Sequence, residues 1–197
     1  MAKQIVVILF AILFNVKMNT ARSADDALTK DTGIAQSVAP ALILDREQNI
    51  LYYIGYIFTG TWYQAMLHCN SLNMDLVSIE TKQENDFLFN QMKALLGDLS
   101  EYQFWSSGTT LPYDKWVWMT SGRPIFYTNW EAGEPNNGPN EHCLEIKYIY
   151  KRGLTWNDVK QDVKSHALCE AKITKSVAEM FPQFCNCSST NSVSVLG

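Results

Sequence analysis

Two short capping sequences divide the chain and restrict what it can fold into. Thr61 and Gln64 form a T-x-x-Q pair, followed by Trp62, Ala65, Met66, Cys69 and Leu72 at helical spacing. Thr81 and Glu84 repeat the device ahead of Phe87, Leu88, Met92 and Leu95. In such a pair the threonine oxygen takes an amide of the first turn, while the longer residue reaches back to the cap; each pair predicts a helix start. The stripes behind them read as core. The texture then changes: Trp116, Trp118, Tyr127, Trp130, Leu144, Ile146, Leu154, Trp156 and Leu168 sit in short runs broken by Gly, Pro and Asn. That pattern predicts short strands among long loops, and nothing between Gly122 and Gly153 keeps a helical repeat. Helices first and loop-rich strands later point to an α+β domain, here drawn over residues 48–172.

The flanks read differently. Lys3 precedes an apolar run of ten residues, Ile5–Phe14, and small residues follow at Ala21, Ser23 and Ala24. This layout predicts a signal peptide over residues 1–23 and a secreted, extracellular protein. The run is too short to span a bilayer, which takes about 20 apolar residues. Residues 24–47 read as a leader or short oligomerising stalk, with a helical turn or two possible in Val38–Leu44. Residues 173–197 read as a polar tail. Of 16 basic and 20 acidic side chains, Lys3, Lys17 and Arg22 precede the cleavage point, which leaves 13 against 20 and a mature net charge of −7. With no basic run, neither nucleic acid nor a membrane surface is an expected partner.

The chemistry concentrates between Glu134 and Asp158. Glu134-Pro135-Asn136 sets a carboxylate and an amide on either side of a proline; a cis bond, which proline alone makes cheap, would turn both toward one point. Glu141 follows, then Asn157 and Asp158 directly after Trp156. These are five oxygen-bearing side chains, three of them charged. By composition alone they are incidental acids in a polar loop. As a donor set they are hard oxygens without a His–Cys partner, which suits Ca²⁺ rather than zinc or copper.

Order and spacing decide between these readings. The motif E-P-N, an acid two residues before a cysteine (Glu141, Cys143), W-N-D, and a cysteine thirteen residues after the tryptophan (Trp156, Cys169) together resemble the C-type lectin domain. The likeness continues through Trp62–Cys69, Asp75–Ile79 and Asn129-Trp130, and is of the kind found in short secreted arthropod lectins. It implies a double-loop fold: two helices, short antiparallel strands, and a long loop region carrying a calcium and sugar site. Carried over position by position, Glu134, Asn136, Glu141, Asn157 and Asp158 match the family's metal and sugar ligands, and Pro135 its cis-proline. Glu-Pro-Asn resembles the version that selects the vicinal diols of mannose, N-acetylglucosamine or fucose. The resemblance thus implies a calcium-dependent lectin for mannose-type glycans, acting in microbial recognition, immunity or adhesion.

Three departures from the family pattern matter. The cysteine expected five residues after the W-N-D tryptophan is Gln161. The resemblance still implies a Cys69–Cys169 bridge, but Cys143 loses its partner. It is left to pair with Cys185 or Cys187, to bridge to another chain, or to stay a buried thiol. Asn137 and His142 replace acids of the family's accessory calcium site, which implies that this site is absent and leaves His142 at the rim. Phe104-Trp105-Ser106-Ser107-Gly108 is a core variation of the family's Trp-Ile-Gly-Leu strand. Separately, Asn186-Cys187-Ser188 is a glycosylation sequon.

Two other functions stay in view. One is a C-type-lectin-like module that binds protein and no sugar. The other is a hydrolase using Glu134 and Glu141 as acid and base. It needs one carboxylate with a raised pKa, whereas a neighbouring dication would hold both ionised, so the chain is read as no enzyme.

Overall fold

The computed structural model describes residues 41–98 and 101–180. The signal peptide, most of the leader, Cys185, Cys187 and the Asn186 sequon lie outside them. Among the described residues no helix is long and apolar enough to cross a membrane.

The chain begins with β1 (Ala41–Asp45), which pairs antiparallel with β2 (Ile50–Gly60). The turn between them is shaped by Asp45, whose Oδ1 accepts the Glu47 and Gln48 amides at 2.9 and 3.2 Å. Sheet structure therefore reaches back into the segment read as a leader. Leu42 and Leu44 alternate with Ile43, a period of two that serves a strand and not the helical turn considered for Val38–Leu44.

Helix α1 (Trp62–Ser71) opens on a complete capping box: Gln64 N–H donates to Thr61 Oγ1, and Thr61 N–H to Gln64 Oε1. After β3 (Asp75–Leu76) comes α2 (Lys82–Leu96), where only half of the expected box forms. Thr81 takes the Glu84 amide at 3.1 Å, but the Glu84 carboxylate accepts from Tyr52 Oη at 2.7 Å and from Glu80 N–H at 2.8 Å. Burial decides this. Tyr52 is fully buried, and its hydroxyl would be costly to leave unpaired. The buried face of α2 is accordingly Glu84, Asn85, Leu88, Met92 and Leu96, with Phe87 and Leu95 at its margins.

The second half supplies β4 (Tyr102–Thr109), β5 (Val117–Trp118), β6 (Glu141–Ile149), β7 (Gly153–Lys160), β8 (Ser165–Lys172) and the short α3 (Lys175–Met180). The sheet order is β1-β2-β8-β4-β6-β7, with β3 on β8 and β5 on β4. All pairs are antiparallel except β4 with β8. Strand alternation splits the core into two layers. Leu51, Trp105, Cys143, Ala167 and Cys169 face α1; Ile50, Tyr52, Phe104, Leu144, Trp156 and Leu168 face α2 and the loop region. Cys69 and Cys169 form the disulfide between α1 and β8. Helix α3 lies in the segment read as tail, yet it buries Val177 and Ala178 against the α1 layer.

Candidate functional site

The β6–β7 hairpin carries three of the five candidate ligands, and an aromatic cage sets its position. Trp156 is fully buried, with Trp118, Tyr127 and Trp130 edge-on to it at 5.9, 5.5 and 5.8 Å. The backbone brackets the same residue: Trp156 N–H donates to Asn129 O at 2.9 Å, and Glu131 N–H to Trp156 O at 2.8 Å. With Trp156 so held, Asn157 and Asp158 have no freedom to slide along the sheet.

Opposite them the loop 133–140 is built from residues that tolerate unusual backbone. Gly133, Asn137 and Asn140 take positive φ of 94°, 52° and 68°, a region open to glycine and more accessible to asparagine than to most residues. The Glu134–Pro135 bond is cis. Three successive amides then point at acidic or amide oxygens. Asn136 N–H donates to Glu134 Oε2 at 2.9 Å and Asp158 Oδ1 at 3.1 Å, and Asn137 N–H to Asp158 Oδ2 at 2.8 Å. Gly138 N–H donates to Asn136 Oδ1 at 2.9 Å and Glu141 Oε2 at 3.1 Å. Side chains from both ends of the loop and from β7, 22 residues away, thereby meet at one short turn.

Asp158 is buried, Glu134, Glu141 and Asn157 are half-buried, and Asn136 is exposed. Asn157 Oδ1 is buried without a hydrogen-bond partner. The three carboxylates alone do not make a cage: among the described residues no group of three or more His, Cys, Asp and Glu side chains is arranged to hold a metal ion. A cation here would need the two asparagines as well. The set does fit a hard cation, being all oxygen, with lone pairs beyond those the amides occupy and an orphaned buried acceptor in Asn157.

The remaining expected residues turn elsewhere. Asn137 Nδ2 donates to Pro135 O at 3.2 Å, and His142 Nδ1 lies 2.9 Å from Thr110 Oγ1. Among the described residues Cys143 is a buried free thiol, and its candidate partners Cys185 and Cys187 lie outside them. Burial pushes this thiol up to about 12, against a smaller opposing hydrogen bond from Thr109. Beside it on β6, Glu145 is buried and bonds Ser165; its carboxyl is raised by burial more than that bond and Lys147 lower it.

Gly138 is a residue that sequence reasoning passed over. A Cβ there would collide with Glu141 Oε2 and sit 3.1 Å from Asn136 Oδ1. Its signal was its place, a glycine between E-P-N and the next acid. The Glu131–Lys147 ion pair, 2.9 Å, carried no such signal, because only strand pairing brings the two together.

A family model described as the lectin C-type domain matches residues 59–171. C-type lectin mosGCTL-7 of Aedes aegypti is 29% identical over 124 residues, covering 61% of this chain and 81% of its own length. C-type lectin 37Da of Drosophila melanogaster is 30% identical over 134 residues, covering 62% of this chain and 70% of its own length. Other relatives are longer proteins, of which the chain covers as little as 21%. Among solved structures, the cow CD23 carbohydrate-recognition domain, obtained in the presence of a GlcNAc2Man3 oligosaccharide, is 26% identical with a TM-score of 0.54. The match covers 73% of this chain and 99% of that one.

Proposed function

The chain belongs to the C-type lectin domain family, whose members are generally non-enzymatic, and from that premise we propose that it is a secreted, calcium-dependent lectin for mannose-type vicinal diols. The observation that supports this best is the meeting of Glu134, Asn136, Glu141 and Asp158 oxygens at the amides of residues 136–138, with Asn157 preceding Asp158 on β7.

Glu134, Asn136, Glu141, Asn157 and Asp158 are the residues that would hold the cation. When bound, it supplies open coordination positions for two hydroxyl oxygens of a sugar. The chain's own part is orientation. Each carboxylate is acceptor-only and accepts a hydrogen bond from a sugar hydroxyl, while each asparagine amide donates to a hydroxyl oxygen. Glu134 and Asn136, two residues apart, therefore impose one acceptor and one donor across the diol, which is how a Glu-Pro-Asn order selects hydroxyl geometry. The amides of residues 136–138 hold these oxygens in place beforehand and lower the ordering cost of binding. Calcium affinity belongs to the range of extracellular modules, about 10⁻⁴–10⁻³ M. Few polar contacts per sugar make single-site binding weak, so microbial or cell-surface recognition draws on several sites at once.

The test is retention on mannose-agarose in calcium and release by EDTA. Retention that chelation does not disturb, or no calcium uptake by calorimetry, would overturn the reading. The second reading, a protein-binding module without sugar affinity, draws on Cys143, which among the described residues leaves the base of the loop without a disulfide. It would be favoured by a folded chain that takes up neither calcium nor mannose.

A further inference from the structure

The loop that carries Glu134 and Asn136 departs from the sheet at Glu131, and three contacts hold that residue. Its N–H donates to Trp156 O on β7 at 2.8 Å, and its carbonyl accepts the Glu134 N–H at 2.9 Å. Its carboxylate takes Lys147 Nζ at 2.9 Å, from β6 on the other side of β7. The register shows what this ion pair crosses. Lys147 is paired with Thr155 and Glu145 with Asn157, so these four side chains share one face of the hairpin. Glu145, the other acid on that face, is engaged by Ser165. With side chains only 24% and 29% exposed, the Lys147–Glu131 pair is screened less than a pair standing in water.

The hairpin does not depend on this contact. Strands β6 and β7 are already joined through eight paired positions, from Glu141–Lys160 to Ile149–Gly153. The turn 131–134 has less support. Gly133 takes a φ of 94°, and a Cβ there would meet nothing within 4 Å, so nothing packs on the turn at that point. Lys147 therefore acts where the loop leaves the sheet. It fixes the side chain of Glu131, the residue whose carbonyl holds the Glu134 amide. Glu134 Oε2 in turn accepts the Asn136 N–H, which also reaches Asp158. The chain of contacts from Lys147 to the candidate ligands is continuous.

We propose that the Glu131–Lys147 ion pair is a clasp that fixes the 131–134 turn and so sets where Glu134 stands relative to Asp158. Both are positioning residues and touch neither cation nor sugar. The consequence for calcium rests on the metal–diol reading given above; the ordering of the loop belongs to the calcium-free chain.

The first test is native-state amide hydrogen exchange on the full chain without calcium. In Lys147→Met and in Glu131→Gln, exchange at the Glu134, Asn136 and Asn137 amides quickens about three- to fivefold, the scale of one ion pair. The Val77 amide, bonded to Leu168 O in the sheet, keeps its rate. Lys147→Arg, which restores the charge, restores the slow exchange. Calorimetric titration with calcium then gives a second readout. Loss of charge alone would tighten calcium binding in Lys147→Met and weaken it in Glu131→Gln, whereas the clasp weakens it about threefold in both. Unchanged exchange at residues 134–137, acceleration that extends equally to Val77, or opposite calcium effects in the two variants overturns the clasp. An unaltered chain that takes up no calcium overturns the diol reading, and the exchange rates then decide the clasp by themselves.

Discussion

Two regions of this molecule are stabilised by different means. Around α1, β2 and β8 the chain has long ladders, a fully buried layer of Leu51, Trp62, Ala65 and Trp105, and a covalent tie between Cys69 and Cys169. Between Thr110 and Asn140 there is little ladder. Apart from short backbone turns and the aromatic cage at Trp156, its loop 133–140 is ordered by side-chain oxygens accepting backbone amides. The first region commits these side chains to burial. The second is held by the same carboxylates and amides that the proposed site would use, so its local stability and its function draw on shared atoms.

Breaking the first region should have the largest effect. The Cys69–Cys169 bridge spans 100 residues. Cys69→Ala is expected to cost about 4.7 kcal/mol in the chain-entropy model, read as a loss in denaturant stability, with sugar retention falling only because the fold does. Asn157→Ala should do the reverse: retention on mannose-agarose falls about 10- to 100-fold through loss of a charge-assisted contact, while the helical circular dichroism is unchanged. Normal binding by that variant would place the site elsewhere.

Gly138→Ala sharpens the contrast. The added methyl meets the far end of the Glu141 side chain, which can move, so stability should hold. The displaced carboxylate should weaken retention by about fivefold. Thermal unfolding measured beside binding separates the two effects.

A separate effect, on stability alone, concerns Glu170 on β8. Burial first, then the nearby Glu84 charge, push its carboxyl up from 4.5 to about 8, with the Ser78 amide and Lys172 opposing. The folded state therefore holds this proton more tightly than the unfolded chain. Its stabilisation is fully present below about pH 4.5 and is lost as pH rises through about 8. The Tm should drift downward between about pH 5 and 8, and Glu170→Gln should flatten that drift without altering mannose retention.

Much of this was legible in the sequence. Both helix starts and the helical poverty of the second half follow from local spacing, and the residues proposed for the site from motif order. The misread parts have one cause in common. Glu84 was assigned to its own helix cap but serves Tyr52, 32 residues away. Leu42 and Leu44 looked like leader because their strand has meaning only beside β2.

Sequence alone determined the secondary-structure grammar, the family and the chemical kind of each donor, because these depend on residue type and on neighbours a few positions apart. Tertiary structure decided which amides the Asp158 carboxylate meets and that His142 bonds the Thr110 turn. Those contacts join residues 20 to 40 positions apart, and their free energy exists only after the sheet has brought them together.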